Sequence, residues 1–324
     1  MGERMSPWLQ VGLFLAVSWL AVGTGCGPVE DLSGAPVEEP GIVEQPGTLE
    51  QEAASANGLS FNGLSFNGMS SNGLSFNGLS FNGLSSQGLA SSQFVTWFQT
   101  NPTLADMVMR YVVRCAVPAG QLRSYRNPVT GTTHTWAGLL GLAPDWAQGQ
   151  RATTTEQQVV SACLAAHTTN SGTTMAISVL GLNGRGQAIP YSSVELSGFA
   201  KQEACFFGNL FTDEGIYVAS DQGLLRGSQS SPRGCALSPG PLERVEENCP
   251  PIVPLSSCDV YCESSLFKPY HSRCTYQGRS YRPITTRLRR QDVFECGDGI
   301  CQFTESCGLG TSYRSCLRDC GPCR

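Results

Sequence analysis

Apolar and polar positions alternate with several distinct periods along this 324-residue chain, and the periods change at recognisable points. A near-continuous apolar stretch runs from Trp8 to Val22, about 15 residues by its span, which is too short to cross a bilayer comfortably and suits the hydrophobic part of an export signal. Residues 27–56 have no apolar period and hold four prolines. Such a segment buries too little to offset its ordering entropy and reads as a disordered tether. From Asn57 to Ser91 an apolar residue recurs every fifth position, at Leu59, Leu64, Met69, Leu74, Leu79, Leu84 and Leu89. Beyond Ser92 the pattern becomes that of a globular domain. Leu104, Met107, Val108, Tyr111 and Val112 have helical spacing behind Asn101-Pro102-Thr103, and Pro118-Ala119-Gly120 stops the helix after Cys115. A second helix starts at Thr153, with Glu156 three residues on as a capping box, continues through Val159, Val160, Cys163, Leu164 and His167, and is expected to end at Asn170-Ser171-Gly172. Strands are expected at residues 173–180, 203–211, 215–220, 279–281 and 284–288.

Two helices followed by short strands predict an α+β domain over residues 92–295. The complete layout is a signal at 1–25, an acidic tether at 26–56, a repeat at 57–91, the α+β domain, and a small cysteine-rich module at 296–324. Formal net charge is −5, with seven acids and no base in 27–56 and ten bases against five acids in 268–324. The arginines of that basic tail lie among prolines and cysteines without an interleaved aromatic motif, so they read as solvated surface, and no nucleic-acid partner is expected.

Cysteine usage is the strongest chemical signal. Cys26 stands alone after Gly23-Thr24-Gly25, and the other fourteen all follow residue 114: Cys115, Cys163, Cys205, Cys235, Cys249, Cys258, Cys262, Cys274, Cys296, Cys301, Cys307, Cys316, Cys320 and Cys323. An even set behind an export signal predicts a disulfide framework, with the last six closing among themselves. Small residues ending on Cys26 resemble a bacterial lipobox, although Gly23 stands where such signals usually carry Leu. The resemblance implies a lipid thioether on Cys26 and a membrane partner through that anchor.

The five-residue unit NGLSF resembles pentapeptide repeats, which wind into β-solenoids. Seven copies fall short of two solenoid coils, and each carries a Gly, so a flexible stalk is the first expectation and a short solenoid the second. The pattern CGDGIC…ESC…CLRDCGPC resembles cysteine-rich units of secreted myxobacterial proteins. Taken together, the lipobox, repeat and module resemble a myxobacterial-type outer-membrane lipoprotein. That resemblance implies a cell-envelope location and no particular activity.

Candidate chemistry is sparse. Cys163 and His167 share a helical face, as a thiolate–imidazole pair would, but Cys163 sits in an apolar stripe and reads as a disulfide half. His134, His167 and His271 match no metal spacing. The indoles Trp136 and Trp146 bracket a Gly-rich apolar loop that reads as core. Asp298, Glu305 and Asp319 are candidate calcium ligands, and no other cofactor is expected. No catalytic signature is present. The leading expectation is a non-enzymatic envelope protein that binds a surface protein or polysaccharide. The alternative is a surface hydrolase using two of Glu195, Glu203, Asp213 and Glu214, which requires carboxyls roughly 5–9.5 Å apart.

Overall fold

The computed structural model describes residues 59–62, 64–65, 78–169, 175–212, 214–221, 229–230, 252–264, 267–292, 294–301, 307–308 and 316–323. The Cys26 signal, the tether, Asp213, Cys235, Cys249 and Glu305 lie outside them. The fold is α+β, and among the described residues no helix is long and apolar enough to cross a membrane.

The centre is a six-stranded mixed sheet. Its strands are β1 (Leu59–Asn62), β6 (Met175–Gly181), β13 (Ile284–Leu288), β7 (Lys201–Asn209), β8 (Gly215–Ser220) and β10 (Ile252–Ser257), in that spatial order. Pairs are antiparallel except β8 with β10. Alternation places Ala204, Phe206, Ile216 and Val218 in the main core, and Cys205, Phe207, Tyr217 and Ala219 in a second, smaller core on the opposite face. Both faces of the central strands are therefore covered, which is why β7 is buried almost throughout.

The main core lies between the sheet and two helices linked by a disulfide. Helix α4 (Pro102–Ala116) starts on Asn101, whose side chain accepts from the Leu104 N–H, and presents Ala105, Val108, Met109, Val112 and Val113 inward. Helix α6 (Thr154–Ala166) packs between α4 and the sheet and is buried over most of its circumference, from Val159 to Ala166 without a break. Cys115–Cys163 joins the two helices across 48 residues, a closure that contributes roughly 4 kcal/mol on the chain-entropy account. The expected capping box at Thr153 and Glu156 is present, but α6 stops at Ala166 with His167 as its C-cap, short of the expected Asn170-Ser171-Gly172. The His167 backbone N–H already completes the last turn by bonding the Cys163 and Leu164 carbonyls.

Three elements between residues 92 and 137 were not expected from periodicity. Helix α3 (Ser92–Thr100) and the hairpin of β3 (Leu122–Arg126) and β4 (Thr133–Ala137) meet in an aromatic cluster of Phe94, Phe98, Tyr125 and Trp136. Trp136 and Trp146 are both buried, as a core reading of their loop requires.

The repeat departs furthest from expectation. Leu79, Leu84 and Leu89 belong to the main core; the short helices α1 (Leu79–Asn82) and α2 (Ser86–Leu89) carry Leu79 and Leu89, and Leu84 lies in the turn between them. Further upstream, β1 pairs with β6, and β2 (Leu64–Ser65) pairs with β5 (Thr168–Thr169). The folded unit thus includes repeat copies, and a boundary at residue 92 with a free stalk before it is corrected. The physical reason lies in the glycines that argued for flexibility. Gly83 has a φ of 74°, and a Cβ there would sit 2.4 Å from the Gly149 backbone; at Gly88 a Cβ would sit 2.0 Å from the Gly83 carbonyl oxygen. Here glycine permits close backbone packing, and the repeat serines Ser85 and Ser91 cap α2 and α3.

Leu84→Ala is expected to lower unfolding free energy by about 2–5 kcal/mol, the cost of a fully buried Leu truncation. Urea or guanidinium denaturation measures it. An unchanged midpoint would return residues 78–91 to the role of a linker.

Candidate functional site

The second face of the sheet carries a row of buried and half-buried polar side chains that runs across its strands. Ser178 on β6 stands opposite Arg287 on β13 in the ladder, so their side chains share this face. Thr285, two residues before Arg287, lies on the same face, and the chain leaves β8 through Asp221 immediately after Ser220. Helix α7 (Ser193–Gly198), capped by the Ser192 side chain, places Glu195 over one end of the row, and the loop before β11 (Cys274–Tyr276) places His271 over the other.

Each end is a buried titratable group with a polar partner. The Ser178 hydroxyl donates to Glu195 Oε1 at 2.8 Å, while Glu195 Oε2 is buried with no hydrogen-bond partner. Burial raises the Glu195 carboxyl to about 7, against the lowering effect of the bonds from Ser178 and the Ser192–Glu195 turn. His271 Nε2 lies 2.8 Å from Asp221 Oδ1, and the two side chains are only 5 % and 6 % exposed. The His271 backbone N–H donates to Thr285 Oγ1 at 3.0 Å, and the Asp221 backbone N–H donates to the Glu203 carbonyl at 3.0 Å. Asp221 Oδ2 is buried and has no hydrogen-bond partner. Burial opposes the charged imidazole. The hydrogen bond and charge of Asp221 outweigh it, the Glu263 backbone and Asp259 add to them, and His271 rises above its ordinary value. Between these ends, Arg287 donates to the Phe199 carbonyl at 2.7 Å and the Ala200 carbonyl at 2.9 Å. Burial lowers its guanidinium, and the charge of Asp221 partly restores it.

Glu195, Glu203 and Glu214, the three described residues of the four candidate carboxylates, do not assemble into a hydrolytic pair. The register of β7 against β13 skips Glu203, which is the extra residue of a bulge, and its Oε2 accepts from Thr286 Oγ1 at 2.7 Å. Thr286 follows the parity of Ile284 and Leu288, which face the main core, so Glu203 and Glu195 lie on opposite faces of the sheet. Glu214 sits beside the far end of β7, roughly 20 Å from Glu203 at 3.3 Å per residue, and binds Arg279 at 2.8 Å and the Tyr281 hydroxyl at 3.1 Å. Asp213 lies outside the described residues.

Other singled-out residues have structural partners. Cys163 is bonded to Cys115, so its sulfur is no thiolate for His167, whose Nδ1 lies 2.8 Å from the Cys163 carbonyl oxygen. His134 Nδ1 lies 2.8 Å from Asp106 Oδ1, and the Trp136 indole donates to the same oxygen at 2.9 Å. In the terminal module Asp319 accepts backbone N–H groups from Gly297, Asp298 and Gly299, while Asp298 Oδ1 accepts from Ile300. These two calcium candidates thus shape the CGDG loop through hydrogen bonds, and Glu305 lies outside the described residues.

Among the described residues, ligand-type atoms gather as Asp221–Cys258–His271, Cys205–Cys262–Cys274, Cys115–Cys163–His167 and Cys296–Cys316–Asp319. Every cysteine in these groups is bonded to another, so of these four groups Asp221–Cys258–His271 alone keeps two ligand-type residues, Asp221 and His271, outside a bridge. Two ligands alone make a weak metal site. The polar row itself was illegible in the sequence. Ser178, Asp221 and Arg287 carry no motif, and only strand register unites them with His271. No protein family, curated protein or solved structure matches this chain.

Glu195 binds its proton more tightly in the folded than in the unfolded chain, so its contribution to stability falls as pH rises from about 4.5 through about 7. His271, also raised, adds a loss of the same sign above the ordinary histidine range. Glu195→Gln is expected to flatten the fall in melting temperature between pH 5 and pH 8. A slope identical to the parent's would remove Glu195 from the pH response.

Proposed function

We propose that this chain is a lipid-anchored cell-envelope protein, held in an outer membrane through Cys26, whose disulfide-stapled domain serves a non-enzymatic binding or structural role. The observation that carries this reading is the division of cysteines. One stands at the end of an apolar export-type segment, and the twelve described among the other fourteen are all paired. Pairing at this density suits an oxidising compartment, where bridges persist. A diacylglyceryl thioether with an added N-acyl chain provides the two or more hydrocarbon chains that stable anchoring needs.

A binding role is supported by the surface beside the polar row. Tyr191 and Val194 are exposed next to Glu195, and Tyr191 packs edge-on against Tyr270 at 6.3 Å. Phe267 is 92 % exposed three residues before Tyr270, and the Lys268 ammonium lies 5.9 Å from the Tyr270 ring. Aromatic and aliphatic groups with a nearby cation suit a surface protein or a polysaccharide. Glu195, Glu203 and Glu214 lie apart from one another, so no two of these three support the alternative of a carboxylate hydrolase.

Metabolic labelling with a clickable fatty acid, followed by membrane fractionation, tests the anchor. The parent chain is expected to carry label and sediment with membranes, and Cys26→Ser is expected to lose the label and become soluble. An unlabelled parent, or a Ser variant with undiminished membrane partitioning, would end this reading.

A further inference from the structure

Two disulfides meet under the second face of the sheet. Cys205–Cys258 ties β7 to the short helix α8 (Cys258–Tyr261), and Cys262–Cys274 ties the residue after that helix to the hairpin strand β11. Cys262 Sγ lies 3.4 Å from Cys205 Sγ, so sulfurs of separate bridges are in direct contact. Aromatic and small apolar groups surround them, including Phe207, Tyr217 and Tyr281. Cys205, Cys258 and Cys274 have no exposed surface, whereas Cys262 retains 8 %. At the far side of Cys205, the Cys258 sulfur belongs to the compact group with Asp221 and His271, whose ligand-type atoms lie within 4.8 Å of one another.

Disulfide exchange requires a thiolate touching a disulfide sulfur, and it is faster when the departing sulfur is stabilised as an anion. Contact is supplied by Cys262 against Cys205. Stabilisation is supplied by the imidazole of His271, which Asp221 holds towards its cationic form beside Cys258. Among the described residues, no histidine is grouped with Cys262 and Cys274.

We propose that Cys205, Cys258, Cys262 and Cys274 form a thiol–disulfide exchange site whose co-reactant is a small dithiol, and that the thiol generated there comes to rest on Cys258 beside His271. The dithiol first reduces Cys262–Cys274, the bridge in which one residue, Cys262, retains some exposed surface. Two electrons pass to that bridge, the dithiol closes into its cyclic disulfide, and its two protons end on Cys262 and Cys274. Cys262 then releases its proton to water, and its thiolate forms a bond to Cys205 Sγ. The Cys205–Cys258 bond breaks as that bond forms, and the electron pair departs on Cys258 Sγ. This second step consumes no electrons. Its products are a Cys205–Cys262 bridge and free sulfurs at Cys258 and Cys274.

Thiol mapping tests the exchange. The folded full chain is treated with limiting dithiothreitol, quenched in acid, alkylated under denaturing conditions and digested for mass spectrometry. Label on Cys258 and Cys274, with a Cys205–Cys262 linked peptide, is expected; label on Cys262 and Cys274 with Cys205–Cys258 intact would overturn the proposal. Cys274→Ser provides a route without reductant, because it leaves Cys262 unpaired from the start. Label is expected chiefly on Cys258, and label chiefly on Cys262 would overturn it. Adding His271→Gln to that variant is expected to shift the Cys258-to-Cys262 labelling ratio by about tenfold towards Cys262, the effect of one unit in the thiol's acidity. An unchanged ratio in a variant that retains cooperative melting would remove His271 from the site. The limiting-reductant experiment on the parent chain decides the exchange even if these variants fail to fold.

Discussion

The carboxylate of Glu156 is the contact through which the N-terminal half of the domain is assembled. It is almost fully buried, and its oxygens accept from the backbone N–H groups of Asp145, Trp146 and Thr153 and from the Thr153 hydroxyl. A buried carboxylate is tolerable only with such a set of donors, since an uncompensated charge would cost several kcal/mol. The same bonds fix Trp146 at the start of a neighbouring turn. The Trp146 indole donates to the Leu79 carbonyl at 2.7 Å, and its own carbonyl accepts from the Leu84 N–H at 3.0 Å. Helix α6, the Trp146 turn and the docked repeat are therefore held by one connected set of hydrogen bonds. Remove the carboxylate and three backbone donors lose their acceptor together.

The sheet divides the molecule into two regions of different chemistry. Helices α4 and α6 cover one face with apolar side chains and a single interhelical bridge. The other face lacks a helix of comparable size among the described residues, and its cover is made from short segments pinned by Cys205–Cys258 and Cys262–Cys274. Short segments bury little apolar area, so covalent closure supplies order that packing alone would not. Their loops also bring polar groups onto the sheet, and Asp221, His271 and Glu195 are buried for that reason. Stapling and buried polarity on this face have a common origin in the shortness of its cover.

The envelope reading and this architecture are consistent with each other. A domain exposed to an oxidising compartment can rely on bridges for its thin face, and the terminal module takes the same strategy further. There, three bridges among Cys296, Cys301, Cys307, Cys316, Cys320 and Cys323 join segments that have no extended core among the described residues, and Asp319 gathers the amides of the CGDG loop. Intramodule pairing follows from short separations of 16 to 20 residues, for which loop closure is cheap in entropy.

Local physics was enough to read helices α4 and α6, the Thr153–Glu156 capping box, and strands 215–220, 279–281 and 284–288, because capping, periodicity and turn residues act within a few positions. The α+β class and an even set of cysteines behind residue 114 were legible for the same reason. The repeat was not. NGLSF has the composition of a linker, and only the approach of Gly83 to Gly149 and of Leu79 and Leu84 to Trp146 shows that its glycines admit close packing. The polar row was equally hidden, because Ser178, Glu195, Asp221, His271 and Arg287 are spread over more than one hundred positions and no local signal distinguishes them. Strand register and disulfide pairing bring them to one face. Those are long-range choices, made by the burial of both faces of the sheet, and no window of sequence contains them.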